Sequence, residues 1–461
     1  MTCQNSLLHL KNCRIIAPDN PEIPADPREG DVLLGGGEIL ACSADLNPSG
    51  LPDLKKINLA GDFLVPGFID NHVHITGGGG ESGFASRTPP IQLSQLIAGG
   101  ITTVVGCLGT DGTTRSLADL LARARGLEEE GISSYLYTGS YQVPVRTLTG
   151  EIDRDIIYID KIIGLGEVAL ADHRSSHPGL QQFIQAASLA RLGGMLSGKS
   201  GLVNIHLGSG CDGFAFLEEV LAASELPRSQ FLPTHVNRNK GILEQGLNYA
   251  ARGGRLDFTT SSPGTTSNPG NTSSSGTTSS SGTNSSSGTS SSPGNIARHD
   301  IISNSSKTFR SDNADSAGSQ QQDSTLTGKD ILTAARQAGV NFSHLSFSSD
   351  GQGSLPEFDS NGELLGLQVG QVTSLYQEIR ETAGSTDFSL PELLPLITLN
   401  PARFLGLKQK GRIEAGRDAD LVVLDRSSLE IKTVIARGEL MMLNGEIITS
   451  GTFETARGQV I

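Results

Sequence analysis

A chain of 461 residues with 49 acidic against 35 basic side chains carries a formal charge of −14, which argues against a surface built for nucleic acid or for an acidic membrane. The length suits one large domain with a smaller one beside it, and no apolar run reaches the roughly eighteen residues of a membrane-spanning helix. The opening MTCQNSLLHLKNCRIIAP lacks the basic start, long apolar centre and small-residue cleavage site of a secretory leader. Five cysteines, Cys3, Cys13, Cys42, Cys107 and Cys211, lie far apart without metal-type spacing. They read as reduced thiols of a cytoplasmic protein, with Cys107 and Cys211 as packing residues.

In chain order, residues 1–62 hold short alternating segments such as DVLLGGGEILACS, with turn signals between them. From residue 63 the pattern changes. Apolar or β-branched runs end in polar residues, and amphipathic stretches follow them. The runs are FLVPGFIDNHVHI, ITTVVGCLGT, SSYLYTGSY, IIGLGEVALA, LVNIHLGS, FLPTHVN, RLDFTTSS and FSHLSFSSD. Helical patterns such as RSLADLLARARGLEEEG, ILEQGLNYAARGG and DILTAARQAG lie between them. Eight strand–helix repeats in series predict an α/β fold, a (β/α)8 TIM barrel over 63–407, with a doubly wound open sheet as the weaker alternative. One stretch, about 262–324, is dominated by Ser, Thr and Gly and predicts a disordered surface insertion. Residues 408–461 return to short alternating segments such as DADLVVLDRSS. Neither end looks self-sufficient, so the two are expected to pair as a small β-sandwich beside the barrel.

The C-terminal ends of barrel strands converge on one mouth. Those ends carry His72 and His74 on the first predicted strand, Glu167 on the fourth, His206 on the fifth, His235 on the sixth and Asp350 on the eighth. Four of the nine histidines in the chain fall there. Residues i and i+2 of a strand share a side, so His72 and His74 can face one ion together with Asp350. His206 and His235 are left for a second ion, and Glu167 can bridge the pair. Imidazole and carboxylate ligands favour Zn2+, with manganese, cobalt or nickel as substitutes. Each histidine alone would be read as a satisfied core or capping group; the set reads as a metal site. The four glycines 77–80 read as a loop whose backbone lets a small ligand approach closely. Asp172 reads as an orienting group and His173 and His177 as supporting neighbours. His344 reads as a strand residue, and His9 and His299 as without a role.

GFIDNHVH, the glutamate of GEVALADHRSS, NIHLGS, PTHVNRN and SSDGQGS occur in this order, together with HVHITGGGGE and VPVRTLTG. On these motifs the chain resembles the amidohydrolase superfamily and, within it, the isoaspartyl dipeptidases, over nearly its whole length apart from the polar insertion. The resemblance implies that His72, His74, His206, His235 and Asp350 are metal ligands. It implies that Glu81 binds a substrate ammonium, and that Thr110, Arg174, Arg238 and Ser354 contact substrate. Tyr141 is implied to assist at the reacting carbonyl. Well-known members bridge their metals with a carboxylated lysine; Glu167 stands at that place here and offers the same bidentate anion.

The implied activity is hydrolysis of the β-linked bond of an isoaspartyl dipeptide by a metal-bridging hydroxide, releasing aspartate and an amino acid. Asp350 acts first as base and then as acid. Such a substrate carries one ammonium and two carboxylates, which Glu81 and the forks of Arg174 and Arg238 complement. A cyclic-amide hydrolase, an N-acyl amino acid deacylase and a catalytically silent assembly protein are the alternatives. The expected partner is a small-molecule substrate, with no nucleic acid or membrane, and the resemblance implies a homo-oligomer.

Overall fold

The computed structural model describes residues 7–17, 28–48, 50–210, 212–261, 325–358 and 364–454. The insertion expected at 262–324 lies outside these residues, as do Cys3, Cys211 and His299.

Eight strands alternate with eight helices through the body of the chain. The strands are β1 (Phe68–Val73), β2 (Ile101–Gly106), β3 (Ser133–Thr138), β4 (Ile162–Leu170), β5 (Leu202–Leu207), β6 (Phe231–Thr234), β7 (Leu256–Thr259) and β8 (Leu345–Ser348). Each is followed by a helix: α1 (Leu93–Ala98), α2 (Leu117–Glu129), α3 (Ile152–Tyr158), α4 (Leu180–Ser197), α5 (Gly213–Ala222), α6 (Lys240–Ala251), α7 (Gly328–Gln337) and α8 (Ser374–Ser385). Strands β1 to β6 pair in sequence order in one parallel sheet, and β7 pairs with β8, also in parallel. The two sheets meet at both seams. Val236, just past β6, donates its N–H to Asp257 O of β7, and His74, just past β1, donates to Gly351 O beyond β8. The result is a TIM-barrel-like domain, and the open-sheet alternative falls away.

The burial pattern explains why these sequences form barrel strands. Every residue of β1, β2, β4 and β5 is buried, as expected of strands covered by helices on one side and by the barrel interior on the other. Helix starts are locally encoded. Ser116 accepts from Asp119 N at α2, Asn239 accepts from Ile242 N at α6, and Thr327 and Asp330 form a capping box at α7.

Below the mouth the interior carries a polar network centred on Asp257. Asp257 accepts from Thr234 Oγ1 at 2.7 Å, Ser346 Oγ at 2.6 Å and Asn71 Nδ2 at 3.0 Å, and also from Ser348. Asp70 accepts from Ser349 N at 3.1 Å and His72 N at 3.3 Å, tying the end of β8 to β1 directly beneath Asp350 and His72.

The two chain ends share one nine-stranded sheet. Phe63–Pro66 runs antiparallel to Leu421–Leu424, with Pro66 opposite Leu421 and Phe63 opposite Leu424. Alternation divides the residues of this seam between two cores. Val65, Val422 and Val434 join the barrel core, while Leu64, Leu421, Val423 and Ile435 join a second core with Leu10, Ile15, Val32 and Leu34. The two ends therefore meet in a single hydrogen-bonded sheet.

Candidate active site

The strand ends bring the expected ligands together. Glu167 Oε1 lies 2.7 Å from His206 Nδ1 and 3.1 Å from His235 Nε2, and its Oε2 lies 3.4 Å from His72 Nε2. Asp350 Oδ1 lies 3.1 Å from His74 Nε2 and 3.8 Å from His72 Nε2. The imidazoles are contiguous, with ring centres 5.5 Å apart for His72–His74, 5.3 Å for His72–His235 and 4.6 Å for His206–His235. His235 and Asp350 sit at φ 62° and 54°, a left-handed backbone uncommon for residues with a side chain. Such strain concentrates at functional positions.

Orphaned atoms test whether this cluster fits a cation. Both ring nitrogens of His72, Oε2 of Glu167 and Oδ1 of Asp350 are buried and make no hydrogen bond. Lone-pair atoms that face each other with no shared proton suit a positive ion, and buried polar groups are otherwise almost always paired. Ligand atoms of His72, His74, Cys107 and Glu167 lie within 4.8 Å of one another, as do those of Glu167, His206 and His235. The residues therefore fit a divalent metal.

Burial opposes charge on His72 and His74, yet Cys107 with Glu167 raises the first, and Cys107 with Asp350 the second, well above the usual imidazole range, so the cluster sets cationic rings against carboxylates. Burial would push the Glu167 carboxyl up, but His72 and His206 hold it well below the usual carboxylate range. Burial also opposes ionisation of Asp350, and His74, His235 and His72 more than offset it, so the carboxyl stays low. His235 is pushed down to about 3 by burial and by His206, so its ring is neutral, the form that binds metal. Burial, with Glu167 nearby, raises Tyr141 well above a free phenol, so its O–H remains a donor.

Above the cluster opens a cavity of about 290 Å³, at the small end for ligand pockets. Glu81, Thr110, Tyr141, Arg174, Arg238 and Ser354 all line it. The six residues to which the resemblance assigns substrate contacts thus line one cavity. Tyr141 Oη is 2.8 Å from His206 Nδ1. Arg174 Nη1 donates to Glu81 at 3.1 Å, its Nε and Nη2 grip Asp172 at 2.9 and 2.8 Å, and its guanidinium lies over the Tyr141 ring. Arg174 and Arg238 each approach His206 Nε2 to 3.2 Å. Asp172 is the orienting group expected of it. His173 lines the cavity mouth, whereas His177 is exposed and outside the lining. His344 closes a 3-10 turn before β8 and bonds Gly254 O through Nδ1 at 2.9 Å, which corrects its placement within the strand. His9 is buried 3.0 Å from Asp31, far from the site in the sheet of the two ends.

Gly78 and Gly79 of the glycine loop line the cavity, and the loop is also tightly packed. The Gly78 N–H is taken by Thr88 Oγ1 at 2.7 Å and Gln352 O at 3.1 Å. A Cβ on Gly78 would meet the His74 ring at 3.1 Å and Gln352 O at 3.0 Å, so the backbone must lie bare against the histidine. Arg115, overlooked in the sequence, clamps this loop. Buried, it donates to the carbonyls of Thr76, Gly78 at 2.9 Å and Thr88 at 3.2 Å. Nothing in GTDGTTRSL announces that task. Thr259 was also missed; its Oγ1 lies 2.5 Å from His235 Nδ1. Its place at the end of β7 could have flagged it.

Comparison with known proteins places the site in a class. The amidohydrolase family model matches residues 315–441. The crystal structure of a β-aspartyl dipeptidase from Fervidobacterium islandicum AW-1, in complex with the β-Asp-Leu dipeptide, is 38% identical and superposes with a TM-score of 0.77 over 96% of this chain and 98% of that one. A second structure of a β-aspartyl dipeptidase from the same organism gives 36% identity and a TM-score of 0.75, with the same coverage. An L-hydantoinase of Paenarthrobacter aurescens is 33% identical over 98 residues, 21% of this chain, and the match spans only 19% of the relative's own length.

The fold and cluster are those of the amidohydrolase superfamily. Within it, the chain belongs to the β-aspartyl (isoaspartyl) dipeptidase family. No helix among the described residues is long and apolar enough to cross a membrane.

Proposed function

We propose that this chain hydrolyses the β-linked peptide bond of isoaspartyl dipeptides, releasing aspartate and a free amino acid. The observation that carries this is the charge pattern around the cavity, one carboxylate (Glu81) and two guanidiniums (Arg174, Arg238) above a floor of metal-binding groups. A β-aspartyl dipeptide has one ammonium and two carboxylates, the complement of that pattern. Relatives 36–38% identical over nearly the whole chain are β-aspartyl dipeptidases, which supports the same choice.

Two divalent cations, Zn2+ by the chemistry of the donors, would supply Lewis acidity and a hydroxide available near neutral pH. His72, His74 and Asp350 would hold one, His206 and His235 the other, and Glu167, close to the histidines of both sets, would serve each. Glu81 receives the α-ammonium, Arg174 and Arg238 the carboxylates, and Thr110 and Ser354 add polar contacts. Tyr141, kept protonated by burial, donates to the carbonyl oxygen as it gains negative charge. Asp350 takes the proton of the attacking water and returns it to the leaving amine, which departs as the C–N bond breaks.

A cyclic amide lacks the ammonium and the paired carboxylates, and an N-acyl amino acid lacks the ammonium. Either would leave Glu81 or an arginine without a partner in the cavity. A silent assembly protein would have no need of a complete ligand set. The same proposal extends to architecture and setting: a (β/α)8 barrel over 63–407, a β-sandwich from 1–62 and 408–461, and a cytoplasmic homo-oligomer.

The test is kcat/KM on β-Asp-Leu, α-Asp-Leu, dihydroorotate and N-acetyl-leucine. The β-linked dipeptide should lead the others by orders of magnitude; equal turnover of the α-linked isomer, or preference for dihydroorotate, rejects the proposal. Asp350→Asn should lower kcat by about 10²–10⁴-fold with the fold intact.

A further inference from the structure

We propose that the Cys107 thiol is a positioning residue for the metal centre, its sulfur accepting the Nδ1–H of His74 and so presenting the opposite nitrogen to the ion. This rests on the metal-dependent function proposed above. His74 offers Nε2 to the cluster, 3.1 Å from Asp350 Oδ1, so its Nδ1 points away, and there it meets Cys107 Sγ at 3.6 Å. The thiol proton has its own acceptor, the Val73 carbonyl at 3.7 Å. The thiol therefore donates to the backbone of β1, and its lone pairs are free to face the ring.

The surroundings fix the position of the His74 ring. Cys107 and Gly109, two residues apart on the chain leaving β2, both abut the imidazole, and a Cβ on Gly109 would stand 2.6 Å from His74 Cε1. The ring is held by sulfur at one nitrogen and bare backbone at its edge. A second buried group points to the same place. His72 is wholly buried with both ring nitrogens unpartnered, and its ligand atom lies within 4.8 Å of those of His74, Cys107 and Glu167.

Metal-binding histidines normally give their outer N–H to a carboxylate, a carbonyl or water. His235 has a hydroxyl, Thr259, in that position. Sulfur is a weaker acceptor, yet in a dry interior a weak partner is far better than none. Cys107 thus becomes more than the packing residue expected from its sequence context.

The experiment uses the full chain purified as native protein, Cys107→Val and Cys107→Ser, with folding checked by circular dichroism. Zn2+ affinity is measured by chelator competition, and the cobalt-substituted native protein is examined for a sulfur-to-cobalt charge-transfer band in the near ultraviolet. Cys107→Val should weaken one Zn2+ equivalent by about 10–100-fold, the range for loss of an outer partner. Cys107→Ser, which keeps an acceptor, should lose less, and the native cobalt protein should show no intense band. Zn2+ affinity within twofold of native in both variants overturns the proposal. So does the charge-transfer band, which would make the sulfur a ligand itself. A native chain that binds no divalent metal at all would instead sink the functional reading beneath it.

Discussion

Asp257 and Glu167 are both fully buried carboxylates inside the same barrel, and their surroundings differ in kind. Asp257 is met by hydroxyls and an amide from β1, β6 and β8, all of which carry protons to give. Glu167 is met by three imidazoles at 2.7, 3.1 and 3.4 Å, and one of its oxygens has no hydrogen bond. The lower carboxylate is complete as the protein stands and serves the fold. The upper one is complete only with positive charge among its neighbours and is the carboxylate proposed to serve the metal centre.

Substitutions can break that contrast. Glu167→Gln should lower kcat/KM more than about 100-fold, beyond the usual loss for an outer-shell partner, with metal content falling in parallel by elemental analysis. Retention of both would show that Glu167 is a second structural carboxylate. Arg115→Ala releases the loop that carries Glu81. It should cost about 10–100-fold in kcat/KM, seen mainly as a higher KM, while metal content holds.

Asp257→Ala should do the reverse of Glu167→Gln. Stranding several buried donors should reduce stability by at least about 2 kcal/mol in urea unfolding, with kcat/KM of the folded fraction within about threefold of native. The smallest effect concerns pH. His235 is depressed from 6.5 to about 3 by burial, so below pH 6.5 the unfolded chain takes up a proton that the folded chain refuses. Metal-free protein should therefore lose stability relative to metal-free His235→Gln as pH falls from 6.5 towards 3, by at most about 1.4 kcal/mol per pH unit. A difference that does not change with pH would mean that the ring is not held neutral.

Much of the site was legible because the barrel makes a one-dimensional rule out of a three-dimensional one. Ends of parallel strands converge, so His72, His74, Glu167, His206, His235 and Asp350 could be assembled from position alone. The cavity-lining Glu81, Arg174 and Arg238 lie in loops, where no period constrains direction, and only their resemblance to known motifs singled them out. Arg115 and Cys107 escaped because their tasks are defined by acceptors and donors distant in sequence: the carbonyls of 76–88 for one, His74 for the other. The same holds for the sheet of the two ends. Alternation showed strands there, but which edge meets which depends on pairing across the whole chain. His344 was misplaced by one residue, the strand beginning at Leu345, as element boundaries commonly are.

Phe63–Pro66 hydrogen-bonds to Leu421–Leu424, while β1 begins only two residues after Pro66. A nascent chain leaving the ribosome exposes the first of these segments long before its mate is translated. During that interval the Leu64 and Val65 edge is open to any extended segment nearby, a hazard that chaperones exist to cover. Synthesis of the final strands thus does two jobs at once, sealing that edge and fixing the orientation of the segment that leads straight into His72 and His74.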